Sequence, residues 1–541
     1  KHPDLEEEVF LRQLLKYQKP SPLPKQSGAA FSRVDILPFV ASLKIAYESG
    51  GLSKEEISIF LNTTIRMKDV DSTITQVENY RVQRSKIDGK VRRKEFYYYT
   101  QLNRLENIFA EEIAERYALI KRLVSEGKKS NNFITSTDGK NLLAEITKGG
   151  KGSKTVKAKQ AQLQIINATR KGKGAATIKK IFLGYYLPLK ISTLKDYADL
   201  TARYLRKSGL FSISRDKLVI VSEKEDLIKS LLFQKWQLTD DKNYLEYLWN
   251  DTRPVLPSDK EDYLKKHLVT LSRKEKVLFE KVGTREALGL VSEKLPTGRN
   301  ILELKQQTKA VETNLLRLKE IEFYYSQSKE DQINDILGFY NLIRDKEILG
   351  GEAYYPAYLE WNTWRVFLAI DTLANKPYEA RGFRLDEELQ PIHNAPGNRA
   401  DMVFEYEDYV IVTEVTLSTR ANQWSSEAEP VPRHVAKVQV ANKNKEVFGI
   451  FVAPEIDPNT VLSFFNSRKY SIENSIIELT IIPLTIEQIK LILSIFRDKR
   501  FTVKDMNRLL KTMQGEMTTT SDAIQWHKKL PALINDWAET L

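Results

Sequence analysis

The chain has 541 residues, 41% of them hydrophobic, and a formal net charge of +12, which is ample for about two to four ordinary domains and too long for one core. Cysteine is absent, which excludes disulfides, thiolate metal sites and cysteine nucleophiles and suits the reducing cytoplasm where we expect the chain to work. The five histidines, His2, His267, His393, His434 and His527, are scattered, so metal chemistry should rest on carboxylates, which favour magnesium or calcium. There is no apolar run of membrane-spanning length and no signal-like start, so a soluble protein is expected. The first residue is Lys1, and a preceding portion or processing is expected for that reason.

The first quarter reads as helical. Residues 34–48 carry apolar side chains at helical spacing, and GGLSKEEISIFL opens a second helix with Ser53 and Glu56 placed as a capping box. A further helix fits 71–84, and a polar stretch rich in Tyr and Arg keeps helical spacing to about 126. Residues 147–190 then hold eleven Lys or Arg and no acid. Such a segment attracts a polyanion by counterion release, with Arg170, Lys171 and Lys173 as candidate contacts; the glycines of TKGGKGSKTVKAK would equally suit a solvated loop. A helix over about 193–207, closed by Gly209, leads into the strands FSIS and KLVIVS through an Arg215-Asp216 turn. Helix followed by hairpin is winged-helix-like, and Arg203, Arg206, Lys207 and Arg215 tilt the unit toward DNA.

Prolines 254 and 257 interrupt the chain, after which a proline-free stretch from 296 to 356 offers long amphipathic helices suited to a connector. Gly350-Gly351 ends this helical region, and strand signals follow. A helix bearing LEWNTWRVFLAIDTLA precedes RADMVFEYEDYVIVTEVTLSTR, which reads as a hairpin turning at Glu407-Asp408. A helix after Pro430, a strand FGIFVAPEI, a strand IIELTIIPLT and terminal helices complete an α/β layer with a mixed sheet. No Walker or Rossmann glycine loop occurs, which argues against nucleotide hydrolysis and dinucleotide redox chemistry.

Hydrolysing a phosphodiester needs an activated water and relief of phosphate charge, both of which carboxylate-held Mg2+ can supply. Asp401 and Glu414 lie thirteen positions apart on the hairpin, Val415 offers a backbone carbonyl as a further ligand, and Glu360, followed by Trp361 and Trp364, lies on the upstream helix and could enter the site from a packed helix. Downstream, QWSSEAEPVPRH adds Glu427, Glu429, Arg433 and His434. Two residues after the second acid, where one large nuclease class carries lysine, stands Thr416. Carboxylates at strand ends are common, and the residues alone leave an ordinary hairpin as the simpler reading.

From Gly50 to the C-terminus the chain resembles the AlwI family of type IIS restriction endonucleases, particularly nicking endonucleases that serve as large subunits of heterodimeric restriction enzymes. The resemblance is carried by LEWNTW (359–364), DEELQPIHNAPGNRADM (386–402), YEDYVIVTEVT (406–416), the EP and RH of EAEPVPRH (427–434) and FVAPEIDPNT (451–460), and more weakly by RYLRKSGLF (203–211). It implies a variant PD-(D/E)xK fold with metal-site acids at Glu360, Asp401 and Glu414, a further functional acid at Glu427, and the same absence of lysine after the second acid. Members carry an additional N-terminal portion of the recognition region that has no counterpart here. The stretch from about 85 to 190 departs from the pattern, so the target sequence does not transfer.

The expectation is therefore a multidomain chain: a mainly α-helical DNA-recognition region over 1–235 with a winged-helix-like unit, a helical linker over 236–340, and a C-terminal α/β nuclease domain over 341–541. Its substrate would be double-stranded DNA, cut on one strand per catalytic domain at a fixed offset, with Mg2+ on Asp401, Glu414, Val415 and Glu360. Glu427 or His434 would orient water or steady the phosphate, and double-strand cleavage would need a smaller subunit or a second copy. The rivals are a non-catalytic DNA-binding regulator with a relic nuclease domain, and a structure-specific nuclease guided by junctions or ends.

Overall fold

The computed structural model describes all residues except 1–3, 22–33, 131, 149–155, 241, 284–297, 299, 371 and 474. It divides into two compact units, one comprising Lys1–Phe211, Asp216–Ile220 and Leu232–Pro254, the other Ser212–Arg215, Val221–Leu231 and Val255–Leu541.

The first unit is dominated by helices. The helix expected over 34–48 begins at Pro38 and runs to Glu48; a proline in the first turn lacks only an N–H that would have no helical partner. Ser53 and Glu56 form the capping box of the Lys54–Ile59 helix. Arg81, on the Val70–Ser85 helix, reaches the same Glu56 carboxylate and the carbonyls of Ser49 and Gly51. Gly51 adopts φ +88° and would bring a Cβ within 2.7 Å of the Leu218 carbonyl oxygen, so glycine is required there.

Helices Lys90–Ile108, Ala110–Lys129, Thr137–Ile146, Val156–Arg170 and Ala175–Arg206 share a core that includes Leu105, Ile120, Leu123, Ile165 and Phe182. The basic segment is thus largely helical where it is described: Ala158, Ala161 and Ile165 are buried while Lys157, Lys159 and Arg170 face solvent. Lys151 and Lys154 lie outside the described residues. The helix expected to start near 193 starts at Ala175 and continues through Pro188. A mid-helix proline costs about 3 kcal/mol, and the buried Tyr186, Leu187 and Ile191 around it offset that cost by packing.

In the second unit, helices Glu261–Val282 and Ile301–Gln327 pack through Leu264, Leu268, Leu271, Leu304, Val311 and Leu315. The Tyr355–Ala369 helix is buried at nearly every position, and its polar Asn362, Thr363 and Arg365 are hydrogen-bonded to Ile336 O, Tyr340 and Gln327, as buried polar groups must be. Beside it lies a four-stranded sheet in the order Thr480–Thr485, Glu446–Ala453, Tyr409–Val415, Met402–Glu405. The first three strands are parallel and the last is antiparallel, so the sheet is mixed as the sequence suggests.

Both edges of this sheet are closed. On one side the Asn375 carboxamide donates to Val403 O and accepts from Glu405 N, imitating a strand, while Ala374 N donates to Glu405 O. On the other side Pro483 sits within the edge strand, a position where its missing N–H is tolerated, and Gln514 Nε2 donates to Thr480 Oγ1. The single strand expected over 476–485 is split at Leu479. Ser475–Glu478 turns away to pair with Lys469–Ile472 as a separate ribbon, because its side chains are mostly exposed while those of 480–484 are buried.

Gly449, at the centre of the sheet, lies under the Pro430–Ala441 helix: a Cβ there would stand 2.8 Å from Val435 Cγ2 and 3.1 Å from Ile481 Cγ1. Gly449→Val should therefore lower stability by about 2–3 kcal/mol through overpacking, measured by urea unfolding. It should also reduce activity beyond the loss of folded protein, since the displaced helix carries His434.

Candidate active site

The hairpin register explains why two acids thirteen residues apart meet. Met402 opposes Thr413 in an antiparallel ladder, so the next pair outward is Asp401 and Glu414. Asp401 Oδ2 accepts a hydrogen bond from Val415 N at 2.9 Å, which fixes one carboxylate oxygen across the strands. Glu360, on the Tyr355–Ala369 helix, is held by Ala395 N at 2.8 Å to its Oε2. Glu414 is only 6% exposed and Glu360 4%.

Three carboxyl groups in one poorly solvated place cannot all ionise without penalty. Burial, and then the neighbouring Asp401 charge, push the Glu360 carboxyl up to about 9, against a modest opposing pull from the Ala395 N–H. Glu414 is raised to about 8 by burial and then by Glu427. Burial and the adjacent Glu414 raise Asp401 well above its usual range. Glu427 ends the Arg420–Glu427 helix and accepts a hydrogen bond from Ser426 Oγ at 3.1 Å.

His434 closes the group from the Pro430–Ala441 helix. Its Nδ1 lies 2.7 Å from Glu414 Oε1, the ring is buried, and Nε2 has no hydrogen-bond partner among the described residues. Burial, then Arg433 and Lys437, lower its pKa, so the imidazole is neutral at pH 7 and shares one hydrogen bond with Glu414 through Nδ1. A cleft of about 170 Å³ opens beside it, and its lining includes Arg381, Arg399, Lys437 and one acid, Glu379. Arg381 is paired with the buried Glu320. Arg399 and Lys437 are exposed and make no ion pair with any described residue. These two cations carry no sequence signal: each reads as an ordinary surface residue until the sheet brings it beside His434.

Among the described residues no three acidic or histidine side chains close into a ready-made metal cage. The donors still suit a hard divalent cation, because mutually repelling carboxylates are what such an ion neutralises. Thr416, in the lysine position, donates its N–H to Val452 O and its Oγ1 accepts from Ser418 N.

The candidate DNA contacts are more dispersed. Arg170, Lys171, Lys173 and Lys207 are exposed, Arg203 is half-buried and Arg206 is buried. Arg215, which belongs to the second unit, pairs with Asp335.

The stability of the metal-free protein should follow the raised carboxyls. Glu360 and Glu414 bind protons up to about 9 and about 8 when folded but only to ordinary carboxylate values when unfolded. Their contribution is therefore full below about pH 4 and is lost as pH rises to 8–9. Melting in a chelator should fall over that window and recover on adding Mg2+. Asp401→Asn keeps an acceptor for Val415 N but removes a charge, so it should raise metal-free stability at pH 8 by roughly 1 kcal/mol and flatten the response to Mg2+.

Comparison with known proteins places this arrangement. No curated protein matches. A solved structure, the small subunit (R.BspD6I2) of the heterodimeric restriction endonuclease R.BspD6I, is similar at 23% identity over 38% of this chain and 99% of that chain, with a TM-score of 0.30. The model of the AlwI restriction endonuclease family matches residues 3–492. With nearly its whole length so matched, the chain belongs to the AlwI restriction endonuclease family, whose members cut DNA.

Proposed function

We propose that this chain is a sequence-specific DNA endonuclease that hydrolyses one strand per catalytic domain at a fixed offset from its recognition site. In this reading the exposed cations of the basic segment and the winged-helix-like stretch, a helix over about 193–207 followed by a hairpin whose Ser212–Arg215 segment groups with the second unit, bind the duplex. The helices over 236–340 link this region to the nuclease domain. One observation carries the catalytic part: Asp401 and Glu414 are register partners at the end of a buried sheet, with Glu360 beside them and His434 bonded to Glu414.

Asp401, Glu414, the Val415 carbonyl and Glu360 would hold Mg2+, which when bound supplies Lewis-acid chemistry and offsets the charge of the phosphate. The chain's own groups do the rest. The Val415 and Ala395 N–H groups pin one oxygen each of Asp401 and Glu360, leaving the second oxygen of each for the site. His434 orients Glu414 through Nδ1 and keeps Nε2 for the attacking water or the phosphate; Glu427 lies near enough to act on the same charge balance. Arg399 and Lys437, which line the cleft beside His434, would supply the positive charge that faces the scissile phosphate. Cleavage in this sense leaves a 5′-phosphate and a 3′-hydroxyl.

A single set of acids cuts a single strand, so double-strand cleavage would take a smaller partner subunit or a second copy. Supercoiled plasmid with purified protein and Mg2+ should yield open circles, and linear DNA only once a second catalytic chain is present. Asp401→Ala should reduce nicking by about a thousandfold or more. Lys437→Ala and Arg399→Ala should each cost about ten- to hundredfold, the worth of a charge-assisted contact. A regulator with a relic domain would bind DNA without metal and leave the plasmid intact, and wild type indistinguishable from Asp401→Ala would sink the enzymatic reading.

A further inference from the structure

The first unit contains a cleft of about 670 Å³ between the Val70–Ser85 and Lys90–Ile108 helices, floored by the Phe60–Thr73 segment. Its walls are unusual in chemistry. Gln76, Asn79 and Gln83 project from the first helix at spacings of three and four, hence from one face, and Asn103 and Asn107 face the cleft from the second at a spacing of four. Among the described residues, the side chains of Asn79, Gln83, Asn103 and Asn107 make no hydrogen bond to protein. The lining has two arginines, Arg66 and Arg104, no lysine and a single acid, Asp69.

Arg104, on the Lys90–Ile108 helix, reaches down to the floor. It donates to Thr63 Oγ1 and Gln76 Oε1 and its guanidinium stands 5.3 Å from the Phe60 ring centre, so its plane is held in place. Burial lowers its pKa to about 10, and it remains charged at neutral pH.

A site for phosphate would be lined mainly by cations and a site for lipid by apolar side chains, whereas here two arginines stand among five carboxamides, Gln76, Asn79, Gln83, Asn103 and Asn107. A carboxamide instead offers a donor and an acceptor side by side, the pattern of a neutral ligand edge that carries both. Nucleobases present such edges; Asn and Gln pair with the adenine edge and Arg with the guanine edge. We propose that this cleft is a base-reading site of the recognition unit, in which the carboxamides of Asn79, Gln83 and Asn103 with Arg104 bind the hydrogen-bonding edge of a nucleobase. The inference rests on the DNA-endonuclease reading and deepens it by naming residues that set specificity. The edge could be offered in the groove of an intact duplex or by a base turned out of the stack.

The test uses the full chain and a pool of long random DNA, from which bound fragments are selected without metal and cut ends are mapped with Mg2+. Asn79→Ala, Gln83→Ala and Asn103→Ala change exposed helical positions to the best helix former, so folding is retained. Asn103→Asp keeps size and removes the donors. Wild type should select one short sequence. Each variant should tolerate substitution at one or two base pairs, with about ten- to hundredfold weaker discrimination there and unchanged choice elsewhere. Sequence preferences identical to wild type overturn the proposal, as does a uniform loss across all sequences, which marks a phosphate contact or a structural role. If wild type selects a sequence but never cuts, the endonuclease reading fails while the cleft is still tested by binding. A 2-aminopurine at the affected position separates the two modes: brighter emission on binding assigns a base turned out, and unchanged emission a base read in its groove.

Discussion

The repulsion between carboxylates held out of water is the constraint around which the second unit is organised. Asp401, Glu414 and Glu360 raise one another's affinity for protons, and left to itself such a group would splay toward solvent. It is kept together by backbone N–H groups at Val415 and Ala395, by the Glu414–His434 contact, and by a sheet and a helix whose other residues are almost all apolar. The stability of the core is thus spent holding charges where they are worst solvated and most receptive to a cation.

That tension also assigns the roles of the surrounding residues. His434 is neutral because it is buried and faced by Arg433 and Lys437, so it relieves Glu414 by a hydrogen bond and not by a full opposite charge. Had Thr416 been a lysine, positive charge would have entered along the strand itself. Here it stands on the neighbouring helix and on the loop before Asp401, at Lys437 and Arg399, which leaves no cation on the strand itself.

Much of this was legible in the sequence because strand periodicity is rigid. Once Glu407-Asp408 is read as the turn, alternation fixes the register, and the register alone brings Asp401 opposite Glu414. Glu360 was legible through family resemblance and not through spacing, since nothing local says where a helix will dock. The split at Leu479 was hidden because IIELTIIPLT is equally apolar on both sides; only burial separates the ribbon from the sheet. The helix expected from about 193 begins at Ala175 and runs through Pro188, because packing on Tyr186, Leu187 and Ile191 outweighs one lost hydrogen bond. Arg399, Lys437 and the carboxamide cleft were invisible for the opposite reason: their residue types are ordinary on any surface, and only convergence gives them meaning.

The closure of the sheet at both edges limits how a second catalytic chain could join. Asn375 occupies the hydrogen-bonding groups of Val403 and Glu405, and Pro483 removes one donor from the far strand. Both features work against two such domains pairing edge to edge into one continuous sheet. Association would have to run through side chains on helices and loops, contacts that form and part more readily than a shared ladder.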